Sequence, residues 1–231
     1  MTSYFEARQV APELHKDNNL PFYLRKRLPD RKDAFILDFG CGFGHTLNSL
    51  KKLGYHNASG IDIDEQAIGY CLKQGLDINK VENLKEFANH NYEKYDFIIM
   101  SHVLEHFQKS DIIPTLKIIN DLLKKDGRLM LMVPNAQSNT GCYWAYEDFT
   151  HYTLFTSGSI YFVLKMAGFN EIEFIDIAHT EGLPLFKKLF KNLFLKYYKF
   201  KINFWNRITS SFFHKPSPVI FGFEIKVLAG K

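Results

Sequence analysis

Acidic residues are absent from Gly182 to Phe223, cysteines are scarce, and no apolar run approaches the length of a membrane span. Each shortage removes a class of protein. The three cysteines, Cys41, Cys71 and Cys142, form no C-x-x-C pair. Neither a disulfide framework nor a thiolate zinc site is therefore expected, and a reducing, cytoplasmic setting fits. A membrane helix needs about 20 consecutive apolar residues, and none are found. Met1–Asp33 is polar and charged without an apolar h-region, so no secretory signal is expected there. The gap in acid is local: eight basic residues from Lys187 to Lys215 fill it, while the rest of the chain is net acidic. A confined patch of this kind argues against nucleic acid as a partner.

What is present suits a folded α/β protein. Hydrophobic residues make up 46% of the 231 and aromatics 16%, ample for one core. Strand and helix patterns alternate, as in a parallel doubly wound sheet. Strands are expected at Ala34–Phe39, Ala58–Ile63, Leu76–Val81, Tyr95–Met100, Arg128–Val133, Glu171–Ala178 and Pro218–Ala229. Helices are expected at about Thr46–Leu53, Glu65–Gln74, Ile112–Leu123 and Ser159–Ala167, the last stopped by Gly168. The organisation expected is a single domain. Residues 1–33 form an N-terminal cap, 34–178 the core, 182–217 a basic amphipathic insert and 218–231 the last strand.

The first strand runs into Asp38-Phe39-Gly40-Cys41-Gly42-Phe43-Gly44, and the second ends at Gly60-Ile61-Asp62-Ile63-Asp64. Glycines at 40 and 42 permit a ligand to approach the backbone. Asp62 lies where an acid accepts hydrogen bonds from both ribose hydroxyls of a nucleoside. A dinucleotide loop would read G-x-G-x-x-G, with a helix N-terminus on the pyrophosphate. Here the third glycine comes one residue early and His45 takes its place.

That spacing resembles the class I S-adenosylmethionine-dependent methyltransferases, whose cofactor carries a nucleoside but no phosphate. The resemblance covers about Ala34–Phe174 and implies a Rossmann-like sheet of seven strands, with an antiparallel last strand inserted between the fifth and sixth. It implies S-adenosylmethionine as cofactor, held by Asp38, Phe39, Gly40, Cys41, Gly42, Asp62 and Ile63. Glu82 or Asn83 would meet the adenine, and Ser101 and His102 the methionine end. Leu104-Glu105-His106-Phe107 is similar to the equivalent motif of many small-molecule, quinone and sugar methyltransferases. The later His151–Phe155 stretch with Ala167-Gly168-Phe169 looks like a subgroup that includes bacterial surface-glycan methyltransferases. The acceptor implied is a sugar, sugar nucleotide or phosphorylated intermediate, or else a lipid- or quinone-like molecule at the membrane surface.

Methyl transfer from a sulfonium needs alignment and, for a hydroxyl acceptor, a base near neutral pKa. His106 and His151 are the candidates, with Glu105 beside them; Glu105-His106 could instead simply hold the loop. His102-x-x-Glu105-His106 with His151 downstream would also suit a divalent metal, but the surroundings carry no further metal signal and catalysis without one is expected. Two rivals of other classes are a dinucleotide-dependent oxidoreductase and a non-catalytic nucleoside-binding protein. The glycine spacing disfavours the first, and the intact Asp38, Gly40, Gly42 and Asp62 disfavour the second.

The insert has its own periodicity. Leu183, Phe186, Leu189, Phe190, Leu193, Phe194 and Tyr197 recur at helical spacing, with Lys187, Lys188, Lys191 and Lys199 opposite. A second aromatic cluster follows, Phe200, Phe204, Trp205, Phe212 and Phe213. Such a stripe could pack on the body or on another subunit, as in a homodimer. It could lie on a membrane, or its lysines could recruit an anionic acceptor.

Overall fold

The structure, a computed structural model, describes residues 4–12, 19–213 and 217–231. Lys215, one of the basic residues of the insert, lies outside that set. In chain order the elements are α1 (Tyr4–Ala7), α2 (Phe22–Arg25), β1 (Ile36–Phe39), α3 (His45–Lys52), β2 (Ala58–Asp62) and α4 (Glu65–Lys73). Then come β3 (Ile78–Lys80), α5 (Leu84–His90), β4 (Tyr95–Ser101), a 3-10 turn at Leu104–His106, α6 (Lys109–Leu122) and β5 (Leu123–Pro134). The chain ends with α7 (Gly141–Glu147), α8 (Ser157–Met166), β6 (Glu171–Phe174), α9 (Leu185–Ile208) and β7 (Glu224–Gly230).

The seven strands form one sheet in the order β3-β2-β1-β4-β5-β7-β6. The first five pair in parallel, whereas β7 runs antiparallel to both β5 and β6. Successive side chains of a strand point to opposite faces, and two cores follow from that. Leu37, Ile98, Met100, Leu129, Leu131 and Val227 meet Leu116 and Ile119 of α6 and Leu164 of α8 on one face. Ile36, Phe97, Ile99, Met130, Met132 and Leu228 meet Leu24, Leu28 and Leu50 on the other. Covering both faces is what lets the parallel strands read as nearly unbroken apolar runs.

Several element ends differ from expectation for local reasons. The third strand is only three residues long, because Asn79 and Lys80 are exposed and only Ile78 reaches the core. The sixth strand stops at Phe174, and Pro218–Phe223 precedes the last strand instead of belonging to it. Asp64 caps α4 by accepting the Ala67 amide at 2.9 Å, and Gly168 takes φ +94° just beyond α8. Helices α5 and α7, absent from the sequence reading, bury little: only Ala88 in the first and Gly141 in the second. The largest difference is α9, which runs 24 residues without a break and absorbs most of the second aromatic cluster.

Strand order reverses between β1 and β4, because β2 and β3 continue to one side and β5 onward to the other. In open α/β sheets ligands bind beyond the carboxyl ends of the strands at that reversal. The glycine loop after β1, Asp62 at the end of β2 and the turn after β4 all arrive there.

Candidate active site

Gly40, Gly42 and Gly44 all adopt left-handed backbone, with φ of +74°, +49° and +73°. At all three positions a side chain of this protein already occupies the space a Cβ would enter. A Cβ on Gly40 would collide with the Val103 side chain, and one on Gly44 would sit 2.6 Å from Leu76 and 2.8 Å from Cys71 Sγ. These two glycines let the loop pack against the turn after β4 and against α4. A Cβ on Gly42 would come 3.2 Å from the ring of Phe5, which arrives from α1.

The amides of this loop are spent inside the protein. Gly40 and Cys41 both donate to the Ile61 carbonyl, at 2.8 and 3.1 Å, and Gly44 donates to Cys41 O at 2.9 Å. Gly42 donates to Asp62 Oδ2 at 2.7 Å. A pyrophosphate loop must instead aim free amides at its anion, so the geometry speaks against the dinucleotide rival. Asp62 Oδ1 also accepts the amides of Ile63 and Asp64, at 2.8 and 2.9 Å. Of about four lone-pair sites on a carboxylate, three are thereby engaged. Asp62 ties the two loops together.

Asp38 is buried, and burial, followed by the charge of Asp62, pushes its pKa up to about 7; a hydrogen bond with Thr46 opposes the rise. The side chains of Phe39 and Cys41 point into the two flanking cores, which leaves only their backbone on the loop. A hydrogen bond with Cys71, and burial after it, push the pKa of the Cys41 thiol up. Ile63 stands exposed beside Asp62. Beyond β3, Glu82 pairs with Lys80 at 2.6 Å, and Asn83 caps α5 by accepting the Glu86 amide at 3.2 Å. The cap uses the Asn83 oxygen assigned to the adenine in the sequence reading.

After β4, Ser101 closes the strand and His102 turns the chain with φ +54°. His102 Nε2 lies 2.9 Å from Glu224 Oε1 of β7 and its Nδ1 3.3 Å from Glu105 Oε1. Burial alone would lower the pKa of His102; the two carboxylates overcome it and push it up to about 10. Held between the two carboxylates, the ring links this turn to β7. Glu105 is wholly buried, and no hydrogen bond of good geometry reaches either carboxylate oxygen. Its nearest charge partners are His102 and, at 4.0 Å, His151 Nε2.

His106 and His151 meet beside it, ring centroids 4.8 Å apart. Their tautomers follow from their neighbours, assigned from the hydrogen-bond network. Thr150 Oγ1 donates to Asp148 Oδ1 at 2.6 Å, so toward His106 Nδ1, 2.9 Å away, it accepts. His151 Nδ1 lies 2.6 Å from the Trp144 carbonyl, an acceptor only. Both rings therefore hold a proton on Nδ1, so a neutral ring keeps its lone pair on Nε2. Burial lowers the pKa of His106 against the charge of Glu105, which raises it, and His151 adds to the fall. In its neutral form either imidazole can take a proton at Nε2. Glu105, His106 and His151 also bring one ligating atom each within 4.8 Å of one another, a set of two imidazoles and one carboxylate that a divalent cation could use.

Helix α1 closes this space from outside. Tyr4 donates to Asp148 Oδ2 at 2.6 Å and packs edge-on against His106, and Arg8 pairs with Glu147 at 2.7 Å. Phe5 stacks on Phe43 with centroids 4.5 Å apart. Sequence reading found no signal for Tyr4, Phe5 or Arg8, since nothing local marks a contact made with a distant part of the chain. Asp148 and Trp144 were visible in the polar-aromatic cluster around His151, but their function in orienting the two histidines was not.

A methyltransferase-domain family model matches residues 14–173. An S-adenosylmethionine-dependent methyltransferase from Archaeoglobus fulgidus superposes over 99% of this chain and 98% of its own, with a TM-score of 0.67 at 21% identity. Phosphoethanolamine N-methyltransferase 2 of Haemonchus contortus, solved with S-adenosylmethionine, superposes over 90% of this chain and 51% of its own, with a TM-score of 0.59 at 15% identity. A ubiquinone biosynthesis O-methyltransferase of Hydrogenovibrio crunogenus is 33% identical over 98 residues, 40% of each chain. The match thus spans well under half the length of that curated relative. With the strand order in place, the chain belongs to the methyltransferase-domain family and has the fold of the class I S-adenosylmethionine-dependent methyltransferases.

Proposed function

We propose that the enzyme methylates a hydroxyl of a small polar acceptor, such as a sugar, sugar nucleotide or phosphorylated intermediate of surface-glycan synthesis. The observation that carries this reading is the pair of Nε2 lone pairs on His106 and His151, beyond the carboxyl end of β4. A sulfonium is already a good leaving group, so the protein must chiefly align the acceptor and remove its proton. A hydroxyl needs that removal, and a neutral histidine supplies it near neutral pH. Asp38, Gly40, Gly42, Asp62 and Ile63 hold the cofactor in this reading, with Glu82 and Asn83 at its adenine edge. The test is methyl transfer from isotope-labelled S-adenosylmethionine to a panel of sugar nucleotides and sugar phosphates. The site of the label is read by NMR as an O-methyl or other methyl. Transfer to nitrogen or carbon, or to none of the panel, overturns the reading.

A second acceptor class has a specific observation in its favour. Helix α9 turns a wide apolar face to solvent, which suits an enzyme working on a lipid- or quinone-like hydroxyl. The similarity to a ubiquinone biosynthesis O-methyltransferase over 98 residues points the same way. Labelled transfer to a short-chain quinol in place of the sugars would select it.

A further inference from the structure

The apolar stripe of α9 faces away from the protein. The helix buries no residue completely, and its half-buried positions are Lys191, Asn192, Leu195, Tyr198, Ile202 and Asn206. Those fall on one side of a 3.6-residue helix and are the side that meets the body. Lys191 Nζ donates to the His179 carbonyl at 2.8 Å, and Tyr198 bonds Asn139 and stacks edge-on against Phe221. The opposite side presents Phe186, Leu189, Phe190, Leu193, Phe194, Tyr197, Phe200, Phe204 and Ile208, each between 50 and 72% exposed. The packing alternative, a stripe laid on the body, is not what the fold adopts.

We propose that α9 is an interfacial anchor that lays this outward face on an anionic lipid surface. Three features select that occupant. The helix carries seven basic residues and no acid, and at helical spacing Lys196 and Arg207 flank one edge of the apolar arc and Lys201 the other. Cations at both margins of an aromatic-rich face are the arrangement of a helix lying in the headgroup plane, with lysine stems running along the apolar surface and their ends in the polar layer. The same charges oppose a second copy, because a two-fold pairing on this face would bring the marginal cations Lys187, Lys196, Lys201 and Arg207 of each copy toward those of the other. Among the described residues no helix is long and apolar enough to cross a membrane, so α9 lies on the surface and does not span it.

The anchor also connects to the active site. Asn139, bonded to Tyr198, sits just before α7, and the chain beyond α7 carries Asp148, Thr150 and His151. Docking α9 would therefore fix the segment that leads into α7 relative to the lipid surface.

The experiment is cosedimentation of the full chain with vesicles of phosphatidylcholine alone or mixed with phosphatidylglycerol. Wild type should bind the mixed vesicles, bind weakly to the neutral ones, and be released by salt, since exposed charges are screened beyond about 8 Å at physiological ionic strength. The double variant Phe190→Asp/Phe194→Asp and the triple variant Lys196→Glu/Lys201→Glu/Arg207→Glu should each fall to the neutral-vesicle background. All five side chains are exposed, so both variants should keep the wild-type melting shift with S-adenosylhomocysteine, which certifies the fold. No binding to mixed vesicles, or undiminished binding by variants that pass that check, overturns the proposal. A dimer that dissociates in Phe190→Asp/Phe194→Asp without any vesicle binding overturns it in favour of a second copy.

Discussion

His106 donates from Nδ1 to the Thr150 hydroxyl, 2.9 Å away, because that hydroxyl has already given its own proton to Asp148. The chain Asp148–Thr150–His106 fixes which ring nitrogen is free, and the outer partner of a histidine decides its tautomer. His106→Ala and His151→Ala should each lower turnover, by about 10²–10⁴-fold for whichever is the base. Cofactor affinity should stay nearly intact. Thr150→Val should lower kcat by less, since it removes the orienting acceptor and leaves the ring. Calorimetry with S-adenosylhomocysteine beside steady-state rates checks both halves; full activity in both alanine variants would remove the histidines from catalysis.

The same burial gives the pH dependence a sign. The pKa of His106 is lowered, so the neutral base persists below the ordinary histidine range and is lost only as pH falls through the depressed value. If His106 is the base, the acid limb of kcat should lie below about 6.5, the unperturbed histidine value. An acid limb above that value would assign the proton to another group.

Asp62→Ala should weaken S-adenosylhomocysteine binding and also loosen the ligand-free protein. Its carboxylate accepts the Gly42, Ile63 and Asp64 amides, and hydrogen bonds to a charged group contribute about 1.5–3 kcal/mol each. A ligand that binds only the folded state raises the melting temperature by mass action. The measurement is therefore a pair of melts, with and without ligand. Equal ligand-induced shifts in wild type and variant would show that Asp62 serves the loop alone.

Strand positions were legible because β1, β2 and β4 are short apolar runs bounded by turn residues, whereas their order came only with the family resemblance; Asp64 marks a helix start by its side-chain oxygen and Gly168 a helix end by its left-handed backbone. Asp62, Glu105, His106 and His151 were legible as types at the right distance from strand ends. Leu84–His90 was not, since a helix with one buried residue has no stripe to detect. The reason for Gly40 also stayed hidden, because Val103 reaches it from the turn after a different strand. For α9, periodicity announced a stripe at Phe186, Phe190 and Phe194 but cannot say which way a stripe faces. Only the contacts of Lys191 and Tyr198 decide that.

Asp38 should set a stability slope. Its pKa is raised to about 7 in the fold, chiefly by burial, against about 3.9 in an unfolded chain. Between those values the folded state holds more protons than the unfolded, so stability is present at the acid end and falls as pH rises through the window. Asp38→Asn should flatten that decline in melts from about pH 4 to pH 7. An unchanged slope would mean that another group carries it.

Chelation separates the two uses of the Glu105, His106 and His151 cluster. As proton acceptors the two Nε2 atoms need nothing else, and turnover should persist after EDTA and dialysis. As ligands they would have to draw together, because zinc-type bonds of about 2.0–2.2 Å require ligand atoms closer than the 4.8 Å limit within which these now lie. Glu105→Gln is informative beside the chelator. It keeps the shape of a buried group while removing the charge that would bind a cation or favour a protonated His151 at 4.0 Å. In the base reading it lowers kcat with no metal response. Loss of activity in EDTA, restored in wild type by zinc or manganese and unrestored in Glu105→Gln, would turn the histidines from bases into ligands.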